Sequence, residues 1–99
     1  MTVIGVTQTS IPAGGWEEAL AGQKQVKAIM ERHGAKNYRA MFGMVAGEAT
    51  GMLASTWEAD DFASQGAITD KLLADPEIQA LMASAPTGWQ TTTWVEVPL

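Results

Sequence analysis

The sequence predicts an α+β fold in the order β-α-β-β-α-β. Three observations carry this reading. Four runs rich in β-branched and aromatic residues alternate with two amphipathic stretches. Capping and breaking residues stand at the boundaries between them. The two middle strands are apolar on both sides, so both faces of the sheet should be covered.

Residues 2–11 (TVIGVTQTSI) are β-branched and bounded by Pro12-Ala13-Gly14-Gly15, which marks a strand. Residues 16–33 place Trp16, Ala19, Leu20, Gln23, Val26, Ile29, Met30 and His33 on one helical stripe. Glu17 and Glu18 open that helix and Arg32 and His33 end it, as the helix dipole favours; Gly34 suits the position after the cap. Residues 37–46 form a second strand and residues 52–58 a third, joined by a hairpin loop at Gly47-Glu48-Ala49-Thr50-Gly51. Asp60 or Asp61 caps the next helix, whose inner face carries Phe62, Ile68, Leu72 and Leu73. Asp75-Pro76-Glu77 restarts a helix with an N-cap, a proline and an acid, and Pro86-Thr87-Gly88 ends it. Residues 89–97 form the last strand.

Two split βαβ units with right-handed crossovers make a ferredoxin-like domain: a four-stranded antiparallel sheet with helices on one face. Residues 1–99 are read as one such domain. Strand two alternates Tyr38, Ala40, Phe42, Met44 with Met41, Gly43, Val45, and strand three alternates Met52, Ala54, Thr56 with Leu53, Ser55, Trp57. The simplest cover for the face without helices is the same face of a second copy, giving a sheet-to-sheet homodimer. A chain this short buries only ~60–65% of its unfolded surface alone, which favours the same conclusion.

The formal net charge of −5 argues against general nucleic-acid binding. With no cysteine, a disulfide framework, a zinc ribbon and a thiol nucleophile are excluded. No stretch approaches the ~18 apolar residues of a membrane span, and Met1-Thr2-Val3-Ile4-Gly5 lacks a basic leader. The expected location is the cytoplasm, with no membrane partner. Five of the six basic residues (Lys24, Lys27, Arg32, Lys36, Arg39) lie within residues 24–39, a solvated helix face or an anion-attracting rim.

Topology brings His33, Tyr38, Arg39, Trp57 and Phe62 to one end of the domain. With a five-residue hairpin loop, Met41 faces Trp57 and Arg39 shares their side; a loop one residue longer or shorter swaps the faces. His33 is the only histidine, either a proton acceptor in a pocket or a residue that favours the helix dipole. One histidine without a carboxylate cluster makes a poor metal site, so no metal is expected. The serines lack a nucleophile elbow, and Asp60-Asp61 reads as capping. Four tryptophans and six methionines stand out, as core or as the lining of a site for a flat apolar or aromatic ligand.

Thr56-Trp57-Glu58-Ala59-Asp60-Asp61-Phe62, a strand ending in Trp-Glu and handing over to an acid-capped helix with an aromatic opening, resembles the antibiotic biosynthesis monooxygenase superfamily. This is the dimeric α/β-barrel group, with NIPSNAP-like and stress-responsive barrel proteins as neighbours. The opening strand followed by Ile11-Pro12-Ala13-Gly14 is similar too. The resemblance implies a cavity between sheet and helices, with Trp57 as a wall and Thr7 where a polar residue lines it. The haem-degrading branch takes its axial histidine from helix two, and this sequence has none between residues 60 and 85. No cofactor is therefore implied. The cofactor-free members, which oxidise electron-rich aromatic substrates, fit better. The expected function is a cofactor-independent monooxygenase acting on a small aromatic or polyketide-like molecule. His33 would be the catalytic base, with Trp57, Arg39, Met41, Thr7 and Phe62 as substrate-binding residues. The alternatives are a non-catalytic ligand-binding or stress-response barrel, or a purely structural dimer with a filled core.

Overall fold

In the computed structural model, which describes residues 1–11, 14–84 and 90–99, the chain runs β1 (Val3–Ser10), α1 (Trp16–Arg32), β2 (Lys36–Phe42), β3 (Met52–Ala59), α2 (Phe62–Leu73), α3 (Pro76–Ser84) and β4 (Gln90–Val95). The strands form one antiparallel sheet in the order β2-β3-β1-β4. This is the ferredoxin-like α+β fold that the sequence predicts, with the second helical stretch divided in two. Pro12, Ala13, the Pro86-Thr87-Gly88 stop and Trp89 lie outside the described residues.

The punctuation works as read. Gly34, at φ 102°, ends α1: its N–H donates to the Glu31 carbonyl, and the Ala35 N–H donates to the Met30 carbonyl. That pair of bonds satisfies two of the helix's last carbonyls and turns the chain into β2. Asp61, not Asp60, caps α2, accepting from the Ser64 N–H at 2.7 Å. Asp75 caps α3 through the Glu77 N–H at 2.9 Å, with Pro76 in the first helical position where no N–H is needed.

The β2–β3 hairpin departs from expectation. β2 stops at Phe42 rather than at residue 46, and Met44 and Val45 stand exposed in the connection. The loop runs through a single 3-10 turn at Gly47–Ala49, and Gly47 and Gly51 take positive φ angles that side chains resist. Arg39 is therefore opposite Thr56 and Met41 opposite Ala54, which corrects the expected pairing of Met41 with Trp57. Nearer the start of β2, the register slips by one residue between Lys36 and Arg39. Asn37 takes φ 50° there, a conformation asparagine tolerates better than most residues, and this is a β-bulge. Tyr38 keeps the alternation of Ala40 and Phe42 and is buried against the helices, while the bulge beyond it carries Lys36 to the opposite face.

Strand alternation divides the sheet cleanly. Val3, Gly5, Leu53, Ser55, Trp57, Ala59 and Tyr38 face the helices and are buried. Met30, Ala35, Tyr38, Trp57, Ala59 and Ile68 form the core cluster, with Val26 and Leu72 packed against it. The opposite face carries Ile4, Val6, Met41, Ala54, Thr56 and Trp94, with Arg39, Glu58 and Lys36 toward one end. Met41 is 48% exposed and Trp94 62% exposed, and no helix among the described residues covers them. The molecule is only 18 Å thick at the Cα level, enough for one sheet and one helical layer. Among the described residues, no helix is long and apolar enough to cross a membrane.

Candidate functional site: the space between sheet and helices

The helix-facing side of the sheet carries an unusual density of hydroxyls. At one level, Ser55 on β3 pairs with Thr7 on β1, and Thr7 pairs with Thr91 on β4. The Thr7 and Thr91 hydroxyls lie 3.3 Å apart. On the next level Trp57 pairs with Gly5, and Gly5 with Thr93. Gln65 of α2 reaches down and donates from Nε2 to the Thr93 hydroxyl at 3.2 Å. From the other side, the Tyr38 hydroxyl donates to Gln23 Oε1 on α1. Burial pushes the Tyr38 phenol above its ordinary pKa, and a hydrogen bond with Ser55 pulls the other way. Tyr38 therefore stays protonated near neutrality and acts as a donor.

Trp57 is the large aromatic of this side of the sheet and part of the core. It is 7% exposed and lies against Gly5, so closely that a Cβ on Gly5 would sit 2.6 Å from the indole nitrogen and 2.7 Å from Cε2. Glycine at position 5 is thus the condition for the indole's position. Gly5→Ala should destabilise the protein by about 1–3 kcal/mol in urea denaturation, because the ring has to be displaced from a packed core. Unchanged stability would mean that the indole is free to move.

The residues singled out from sequence fall in four places. Thr7 and Trp57 stand together on the helix-facing side. Arg39 and Met41 lie on the uncovered face, because the register differs from the one expected. Phe62 begins α2, is half exposed, and lies outside the core cluster around Trp57. His33 is engaged elsewhere: its Nε2 donates to Asp75 Oδ2 at 2.7 Å, at the junction of α1 and α3.

Asp75 is the hub of that junction. Its side chain is 7% exposed and also accepts from Arg32 Nη2 at 2.7 Å, while Arg32 Nη1 reaches Glu77 at 3.4 Å. The hydrogen bonds from His33 and then Arg32 hold its pKa at about 2, below the ordinary carboxylate value of 3.8. A carboxylate with a depressed folded pKa contributes stability above its unfolded pKa and loses it as pH falls through the folded one. The melting temperature should therefore fall between about pH 4 and pH 2. Asp75→Asn should lower it at neutral pH and flatten that acid limb; an unchanged limb would show that other carboxylates control it.

Tyr38, Ser55, Thr91, Gln23 and Gln65 were not singled out from the sequence as site residues. A signal was there: Thr7 and Thr9 in β1 and Thr91 and Thr93 in β4 each repeat at the two-residue period that puts them on one face. Elsewhere, a shallow hollow at the sheet's edge is lined by Met1, Thr2, Val95, Glu96, Val97 and Pro98. It shares none of these residues. Among the described residues, no three metal-ligating side chains converge.

The sequence matches no protein-family model and no curated protein. Its fold is similar to that of solved structures. A NIPSNAP-like domain protein from Burkholderia xenovorans superposes with a TM-score of 0.75 at 15% identity, over 97% of this chain and 85% of that one. A NIPSNAP family protein from Agrobacterium tumefaciens strain C58 gives 0.74 at 14% identity, over 98% and 94%. A candidate antibiotic biosynthesis monooxygenase from Deinococcus radiodurans gives 0.50 at 13% identity, over 100% and 95%. The chain thus has the ferredoxin-like α+β fold of these NIPSNAP-like structures and of this monooxygenase-like one.

Proposed function

We propose that the protein is a homodimer, joined through the uncovered sheet faces, in which each subunit binds a small aromatic or polyketide-like molecule between its sheet and its helices and oxidises it with molecular oxygen, without a cofactor. The observation that carries this is the row Ser55, Thr7, Thr91 beside the Trp57 indole: neutral donors and acceptors next to an aromatic wall. The fold shared with the Deinococcus radiodurans protein supports the oxygenation part of the reading. In this chemistry an electron-rich substrate supplies the electrons itself. An anthrone is the appropriate probe. Its ring methylene becomes a carbonyl, one atom of O2 enters that carbonyl, and the other leaves as water with the two methylene hydrogens. The protein's part is to hold the ring against Trp57 and to hydrogen-bond the oxygens that gain charge on the way.

Oxygen-electrode and absorbance measurements with an anthrone should show one O2 consumed per quinone formed, above the rate without protein. Trp57→Phe should slow that turnover. Binding without oxygen uptake would instead favour a non-catalytic ligand-binding barrel. A specific observation supports that second reading: the imidazole of His33 is bound to Asp75, and the row beside Trp57 consists of hydroxyls with neighbouring amides. No binding at all would leave the structural dimer.

A further inference from the structure

We propose that the free edge of β4 takes up an extended, lysine- or arginine-bearing segment of a partner protein as a fifth strand of the sheet. This goes beyond the reading above and draws on a different part of the molecule. The sheet has two edges, β2 and β4. An edge strand leaves a row of backbone N–H and C=O groups unpaired, and natural proteins blunt it with charges, proline or a bulge. The β2 edge is blunted in this way: it carries Lys36, Arg39 and the bulge at Asn37. The β4 edge is not. Gln90–Val95 (QTTTWV) has no charge and no proline, and it pairs with β1 without a register shift.

The register fixes which backbone groups are free. The Glu96 N–H donates to the Thr2 carbonyl, so Thr92 and Trp94, an even number of residues away, also turn their backbone groups toward β1. Thr91, Thr93 and Val95 turn theirs outward, and all three residues are exposed. Among the described residues no strand lies beyond them. Donor–acceptor pairs repeating at every second residue are matched by another extended backbone.

Charge specifies the segment. Ala59, Val3 and Val95 form one row across the sheet, so Asp61 and Glu96 stand beyond the same end of it. Glu96 is exposed and has no ion-pair partner among the described residues. Neither β1 nor β4 contains a lysine or arginine, and the chain has none after Lys71. Five of the six basic residues lie in α1 and β2, and β2 is the opposite edge. The hollow lined by Val95, Glu96, Val97 and Pro98 adjoins the acidic end of β4. An apolar wall beside one carboxylate suits the stem and head of a lysine. An acidic segment would meet like charge there.

Calorimetry and amide exchange with two peptides of about eight residues, long enough to span β4, test this. One peptide alternates lysine with valine and the other glutamate with valine. At low salt the lysine peptide should bind at least roughly tenfold more tightly than the glutamate peptide. On binding, the N–H groups of Thr91, Thr93 and Val95 should exchange more slowly with solvent. The lysine peptide N-methylated at every residue should not bind, because it has no N–H to give to the edge. Glu96→Lys, at an exposed side chain, should reverse the charge preference while circular dichroism stays native. Binding that leaves those three amides unprotected puts the peptide elsewhere and overturns the proposal. No binding of the lysine peptide overturns it, as does equal binding of its N-methylated form or of the glutamate peptide. If the three amides of the protein alone become protected as its concentration rises, a second copy covers the edge and the proposal falls.

Discussion

Trp57→Ala is expected to destabilise the protein by about 3–5 kcal/mol, the range for removing a large buried aromatic. The indole is nearly fully buried, belongs to the cluster with Met30, Tyr38 and Ile68, and lies directly on Gly5. Gly5 offers no side chain to fill the space that alanine at position 57 would leave. The same residue forms the wall of the proposed ligand space, so stability and binding have to be separated. Trp57→Phe does this. It keeps an aromatic ring in the core and should hold the fold, yet it loses ring area against the ligand and should weaken binding roughly tenfold. Urea denaturation and calorimetry on both variants make the check. A Trp57→Ala protein as stable as the parent would show that the indole is not core. A Trp57→Phe protein with unchanged affinity would show that the indole is core and nothing more.

Ala54→Glu should convert the proposed dimer to a monomer. Ala54 lies on the central strand β3, on the uncovered face, opposite Met41 and on the same side as Val6 and Thr56. A sheet-to-sheet dimer buries that position twice, once per subunit, and each glutamate would be buried without a partner. The dimer dissociation constant should rise by about a thousandfold, corresponding to ~4 kcal/mol. Light scattering at micromolar concentration should give twice the 10.5 kDa chain mass for the parent protein and a single mass for the variant. If the face is open to water, the substitution should change stability by less than ~0.5 kcal/mol and the mass not at all.

Much of the fold was legible in the sequence because local signals agreed with one another. Gly34 after a basic helix end, Asp61 before α2 and Asp75-Pro76-Glu77 before α3 each named a boundary that the backbone bonds then show. The pairing of β2 with β3 was not legible. It depends on the conformation of the connection after Phe42, and a shift by an odd number of residues moves every side chain to the other face. That is why Arg39 and Met41, expected beside Trp57, lie across the sheet from it. Thr7, which the resemblance implies as a lining residue, stands on the same side of the sheet as Trp57, through its pairing with Ser55. The partner of His33 was not legible, because sequence gives no distance between residues 33 and 75, which the fold brings within a hydrogen bond. The hydroxyl row was hidden for the same reason: Ser55, Thr7 and Thr91 are far apart in the chain and become neighbours only through the strand order β3-β1-β4.

In the proposed function the two faces of the sheet have different tasks, ligand on the helix-facing side and a second copy on the other. An isotope-filtered NOE spectrum of the protein with bound dihydroxyanthraquinone distinguishes the faces. The ring protons of the ligand should show contacts to the Thr7, Thr91 and Thr93 methyls and to the Trp57 indole. Contacts to the Ile4, Val6 and Met41 methyls instead would put the ligand on the uncovered face and contradict the account.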